Sequence, residues 1–212
     1  MANRLRWHLH ELDPALQVPS RGLRRYKVLD ELAARLASME GTVARLARRL
    51  LARCRDLTAE INALEAELRP LVRRLAPTLL AVPGCGVLGA AMILGETAGV
   101  SRFRSKDAYA RFTGTAPIPV WSGERRGKVR LNRGNRTVNT ALHMIAVTQA
   151  RGVGPGQAYV EQLMTRGKTR TEAVRLLRRR LSDVVFRALR ADEQARSTST
   201  QRGCSAATTR AA

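Results

Sequence analysis

Ser122 is the residue whose type and setting could do chemistry. It stands between Trp121 and Gly123 in the segment TGTAPIPVWSGERRGKVRLNRGN, residues 113–135, at the edge of a run dense in basic side chains. A serine hydroxyl is a weak nucleophile at neutral pH and needs a base, a cation or a metal beside it. Arg125, Arg126 and Lys128 follow closely and could stabilise charge on a phosphate under attack. No histidine is near in sequence: His8 and His10 lie far upstream, and His143 falls in a predicted helix, where packing or capping is the plainer role. By residue chemistry alone, a lone serine in a basic loop is a hydrogen-bonding residue, and catalysis is the sharper alternative.

The cations form a second candidate constellation. Between Arg102 and Arg136 stand ten basic residues: Arg102, Arg104, Lys106, Arg111, Arg125, Arg126, Lys128, Arg130, Arg133 and Arg136. Only Asp107 and Glu124 oppose them, whereas a merely solvated face carries mixed signs. Such density binds phosphates with marked salt dependence. The whole chain agrees, with 38 Lys+Arg against 17 Asp+Glu and a formal charge of +21. Arginine predominates, and its planar fork suits phosphate. A GC-rich genome would explain arginine in place of lysine but not the net excess of positive charge. A polyanionic partner follows, with nucleic acid the first choice.

A third candidate is LLAVPGCGVLGAAMIL, residues 79–94. Two apolar helices meet there at Pro-Gly-Cys-Gly. Gly84 and Gly86 permit backbone conformations closed to other residues. The N–H groups opening the second helix then favour an anionic oxygen. The pattern is that of a helix-hairpin-helix gripping a backbone phosphate, and a tight helical hairpin without a ligand is the bland alternative.

The elements that must position these residues read as helices. With 44% hydrophobic but only 4% aromatic residues in a chain of 212, the core must be mainly Leu, Val and Ala, which favours helix on helix. A short helix covers 3–12. Leu29, Leu32, Leu36, Met39, Val43, Leu46 and Leu50 then alternate steps of three and four, a heptad seam within one long helix or helical hairpin over 27–68, weak near Gly41. Self-association through that seam is expected, with packing inside the chain as the alternative. Pro70 is expected to open the next helix. Helices follow over the segments around Pro-Gly-Cys-Gly, over SKDAYARFTG with Ser105 as N-cap, over NRTVNTALHMIAVTQA, over QAYVEQLMTRG, and after the Thr169–Glu172 capping box. Residues 192–212 are polar and small, and disorder is expected. Cys54, Cys85 and Cys204 lie far apart and read as reduced thiols, not a zinc site or disulfide framework. The first residues are too charged for a signal peptide, and no apolar run approaches the ~18 residues of a membrane span. The expected class is an all-α cytoplasmic protein without a membrane partner: a long coiled-coil arm, then a compact helical domain with a helix-hairpin-helix-like element and a basic loop.

The order of the pieces resembles one family. Leu80-x-Val82-Pro83-Gly84-x-Gly86, then Ala90 and Ala91, then SRFRSKDAYARFTGTAPIPVWSG, then NRGNRTVNTALHMIA, resembles the C-terminal domain of the insertion-sequence transposases named after elements one-ten, one-sixteen and nine-oh-two. The resemblance covers roughly residues 70–190, and many ordered pieces make it specific where each alone is not. It implies that Ser122 attacks a DNA phosphodiester and forms a covalent protein–DNA intermediate, with Gly123 leaving room for the backbone and Trp121 walling or stacking. The glycine turn and the cation density described above make Gly84, Gly86, Arg102, Arg104, Lys106, Arg125, Arg126, Lys128, Arg130, Arg133 and Arg136 the expected DNA- or RNA-binding residues. The resemblance also implies a prokaryotic, nucleoid-associated setting, a guide RNA as possible second partner, and homo-oligomers paired through 27–68. Family members carry a preceding RuvC-like domain whose four acidic residues bind divalent metal. No such domain is present here, so no metal ligand or cofactor is expected in this chain, and Mg2+ belongs to the missing domain. Residues 1–20 resemble that domain's tail end, 21–69 the connecting coiled coil and 70–191 the transposase domain. The expected product is a truncated one, inactive alone, and the alternative function is a non-catalytic nucleic-acid-binding piece that pairs with or inhibits a full-length transposase.

Overall fold

The computed structural model describes residues 1–19, 21–122, 125–131 and 134–209, with residues 119–122, 125–131 and 199–209 described by backbone alone. The chain divides into two compact units, Met1–Glu67 and Leu68–Ala212.

In the first unit, α1 (Ala2–Leu12) and a 3-10 turn (Gly22–Arg24) precede α2 (Tyr26–Ala37) and the start of α3 (Thr42–Leu75). The break between α2 and α3 falls at Gly41, whose φ of +98° is closed to most residues. Arg48 donates Nη1 to the carbonyls of Leu36 and Met39 at 2.8 and 2.9 Å, satisfying acceptors that the end of α2 leaves open. Asp30 pairs with Arg55 and Tyr26 accepts from Asn62, so α2 and α3 run antiparallel. The predicted seam is therefore only half realised. Leu29, Leu32 and Leu36 are buried, but α3 buries Ala44, Ala47, Leu51 and Cys54 rather than Val43, Leu46 and Leu50. Four residues of non-helical chain between the helices reset the rotation of the second. Further along α3, Leu57, Ile61 and Leu64 are exposed.

In the second unit, Pro70 lies inside α3 and does not open a new helix. The missing N–H costs one internal bond, and the helix runs on to Leu75. Proline does open α4 (Pro77–Leu80), but it is Pro77, seven residues later than expected. There follow α5 (Val87–Thr97), a 3-10 turn (Val100–Arg102) and α6 (Lys106–Phe112), with the Ser105 hydroxyl accepting from the Ala108 N–H as foreseen. The expected basic loop is a two-stranded antiparallel ribbon, β1 (Pro117–Ser122) and β2 (Arg125–Leu131). Then come α7 (Arg136–Gln149), α8 (Gly156–Thr165) and α9 (Arg170–Thr209). Apart from that ribbon the described fold is all-α.

α9 is the axis of this unit and packs against α4, α6, α7 and α8. Its capping box is formed: Thr169 N–H and Oγ1–H both donate to Glu172, and Glu172 N–H donates to Thr169 Oγ1. Those bonds hold the Glu172 carboxyl below its ordinary pKa. Ala173, Leu177, Leu181, Val185 and Leu189 are buried at steps of four. Where disorder was expected, the helix continues through Asp192, which is itself buried. Four of the eight aromatics gather in one cluster. All three phenylalanines meet Tyr109, with ring centroids 5.2 to 6.1 Å from its own. Burial pushes the Tyr109 hydroxyl up to about 12, and it lies 3.4 Å from Thr97 Oγ1.

Candidate nucleic-acid interface

The ribbon is held at its foot by backbone contacts. Asn135 N–H donates to the Phe112 carbonyl at 2.6 Å. Gly134 lies so close to that turn that a Cβ there would stand 2.1 Å from Gly114 N and 2.3 Å from Phe112 O. The two ends of the segment are thus pinched together where α6 ends and α7 begins. Asn135 also caps α7, accepting from Val138 N–H at 3.0 Å, and donates Nδ2 to Glu96 on α5 at 2.6 Å. Asn139, one turn on, donates Nδ2 to the Thr113 carbonyl at 2.7 Å. Beneath, the buried hydroxyls of Thr113, Thr115 and Ser182 lie within 3.3 Å along a chain, and Thr113 donates to the Ala110 carbonyl. Buried polar groups this well satisfied hold a single geometry.

From that foot, the register runs Pro117 with Leu131, Ile118 with Arg130, Pro119 with Val129 and Val120 with Lys128. It then shifts, and Ser122 pairs with Arg125 at the far end. Such an irregularity bends and twists a strand and is a common device for re-aiming one residue. Ser122 therefore ends β1 beside the tip, with Arg125 as its register partner, while Arg126, Lys128 and Arg130 follow along β2. Gly123, Glu124 and Arg133 lie outside the described residues, and so does any side-chain geometry of Ser122, Arg125, Arg126, Lys128 or Arg130.

The remaining predicted residues divide. Arg102 is already engaged: its guanidinium lies 4.6 and 4.9 Å from the Phe103 and Phe112 ring centres and donates to the Glu96 carbonyl. That places it on the aromatic cluster under the ribbon's foot. Arg104 is exposed and lines a polar cleft with Arg190 and Glu193. Lys106 and Arg136 are exposed in the first turns of α6 and α7.

Gly84 adopts φ +80° and packs against Thr148 and the Ile145 carbonyl, so the Pro-Gly-Cys-Gly turn sits on α7. Gln149 Nε2 donates to the Pro83 carbonyl at 2.7 Å, and Gly154 closes against the Pro83 ring. Gly86 precedes α5 with open space around its Cα, and no side chain caps that helix. Burial pushes the Cys85 thiol up to about 11, which leaves it a packing residue. The element resembles a helix-hairpin-helix in order, but its first helix has only four residues.

Sequence reasoning missed the supports. Asp192 on α9 accepts from the N–H groups of Thr78 and Leu79 at 2.9 and 3.1 Å, an N-cap for α4 supplied from 114 residues away. Arg179 pairs with Asp107 and Asp183. Arg178 donates to Asn139 Oδ1 at 3.0 Å. None of these carries a local signal except Arg179–Asp183, which has the four-residue spacing of a helical ion pair.

The second unit, helical with a basic ribbon raised on a polar foot, is similar to a transposase family. Residues 76–161 match the family described as Transposase IS116/IS110/IS902. The chain is 34% identical over 152 residues to the insertion element IS900 uncharacterized 42 kDa protein of Mycobacterium paratuberculosis, covering 70% of this chain and 37% of that one. It is 35% identical over 138 residues to the insertion element IS110 uncharacterized 43.6 kDa protein of Streptomyces coelicolor, covering 64% and 33%. The insertion element IS116 uncharacterized 44.8 kDa protein of Streptomyces clavuligerus is 30% identical over 148 residues, covering 64% and 36%. The chain thus spans about a third of the length of the curated relatives it matches. Among the described residues, no helix is long and apolar enough to cross a membrane.

Proposed function

We propose that this chain is the DNA-binding, serine-bearing part of a DNA transposase, with Ser122 as the nucleophile. The observation that carries the reading is Ser122 at the tip end of a basic ribbon, opposite Arg125 and just past a register shift. In the step, the Ser122 Oγ–P bond forms while the bond from phosphorus to the leaving sugar oxygen breaks. The serine proton passes to a base and the leaving oxygen takes up a proton. Cations of the ribbon offset the charge that grows on phosphorus. Among the described residues, no group of three His, Cys, Asp or Glu could hold a metal ion.

The test is covalent capture on a nicked substrate bearing the element's ends, with guide RNA and Mg2+. The chain is used alone and with a RuvC-like domain supplied. An SDS-resistant protein–DNA band is expected in the complemented mixture and is lost in Ser122→Ala. No band in either mixture, with salt-sensitive binding retained, would leave the non-catalytic reading: a nucleic-acid-binding piece that pairs with a complete transposase.

Pairing itself is proposed through the exposed end of the first unit's α3. Leu57, Ile61 and Leu64 keep the four–three spacing of a coiled-coil seam and are 38 to 52% exposed. Light scattering should report a dimer for the native chain and a monomer for Ile61→Glu with Leu64→Glu. An unchanged mass would remove this seam from the assembly.

A further inference from the structure

Two neighbouring arginines on α9 have opposite fates. Arg179 is met by two carboxylates, Asp107 and Asp183. Arg178 is met by none. Its Nη1 donates to the neutral amide of Asn139, and its Nε is shut off from solvent with no acceptor. Arg175, one helical turn back, adds repulsion. Burial and that repulsion both lower the Arg178 pKa, and no acid opposes them. A guanidinium stays charged through such a shift. The folded chain therefore holds a partly desolvated cation at a cost.

The partner that would relieve the cost is not within the described fold. Asn139 cannot turn to serve Arg178 better, because its Nδ2 is committed to the Thr113 carbonyl at 2.7 Å. Arg136 lies one turn before Asn139 on α7 and is exposed, so the surroundings become more cationic. An anionic oxygen from outside fits the need, and Arg178 is only partly buried, so a rotamer-scale movement brings its free N–H groups to it.

We propose that Arg178, seated on Asn139 and flanked by Arg175, binds a backbone phosphate of nucleic acid at the foot of the ribbon. The site rests on the nucleic-acid-binding reading above but not on Ser122 as nucleophile. Its hydrogen bonds run from Arg178 through Asn139 to the Thr113 carbonyl, so an occupied phosphate stiffens the turn from which β1 departs. The ligand chemistry is a phosphodiester, which duplex DNA and single-stranded RNA both offer.

The test measures affinity of the full chain for each by fluorescence anisotropy between about 50 and 200 mM salt. Arg178→Gln, which keeps a donor for Asn139, should weaken binding about tenfold and reduce the salt slope by about 0.9 on duplex DNA or about 0.7 on single-stranded RNA. Arg178→Lys should retain the slope, since the charge remains. The arm that shows the loss identifies the source, and a loss on both means the seat accepts either. Native affinity and slope for Arg178→Gln on both arms would overturn the proposal. Equal losses in the Gln and Lys variants would also overturn it, because a merely structural tie to Asn139 does not distinguish them. Ser122→Ala should bind with the native slope, so failure of covalent capture and failure of this seat are read separately.

Discussion

Alanine at position 134 is expected to destabilise the Leu68–Ala212 unit by about 3 kcal/mol and to unseat the ribbon, although it adds a single methyl group. The reason is what that methyl would meet. Its neighbours are the Gly114 amide at 2.1 Å and the Phe112 carbonyl at 2.3 Å, both backbone, and neither can swing aside as a side chain would. Separating the strands' roots to admit it would stretch the 2.6 Å bond from Asn135 N–H to Phe112 and loosen the contact of Asn139 with Thr113. Urea unfolding followed by circular dichroism reads the loss. Gly89→Ala is the control: it lies within α5 with open space around its Cα, so alanine there should be neutral or stabilising by about 0.5–1 kcal/mol. If Gly134→Ala unfolds at the native midpoint, the close approach does not hold the ribbon.

Asp192→Ala should cost about 2–3 kcal/mol. The carboxylate is only 2% exposed and accepts from two N–H groups that α4 cannot satisfy by itself. Removing it strands both donors away from water and leaves α4, four residues long, with no cap. Asparagine keeps one acceptor oxygen and should recover about half of the loss. Because α4 leads into the Pro-Gly-Cys-Gly turn, nucleic-acid binding should fall alongside stability. An alanine variant with native stability would mean that water replaces the carboxylate.

Local signals made much of this legible. Ser105, Asn135 and the Thr169–Glu172 pair act on amides within three residues, so their consequence is readable from spacing. The break at Gly41 was readable for the same reason, since one residue holds the unusual φ. The face that α3 buries was not, because it depends on how the non-helical residues before it turn. The ribbon hid behind Pro117, Pro119 and Gly127, residues that argue against a strand in a sheet's interior but are tolerated in a ribbon with two free edges. At the site, residue chemistry alone left Ser122 a hydrogen-bonding residue, and only the ordered motifs around it raised it further. Gly134 appeared merely as one glycine among several, because its importance is a distance to Gly114. Asp192 looked like the start of a polar tail, because its partners lie more than a hundred positions earlier.

That last separation has a consequence for how the chain is made. The cap on α4 is supplied 114 residues after Thr78, a span long enough that it emerges from the ribosome seconds later. Until then the short helix has no partner for its exposed amides, and the buried faces of α6, α7 and α8 await the same α9. Closing so long a loop is entropically costly and is rewarded only when α9 docks along its whole length. The second unit should therefore be born late and all at once. A nascent chain halted before residue 192 would carry every residue of the basic ribbon and yet present no finished surface.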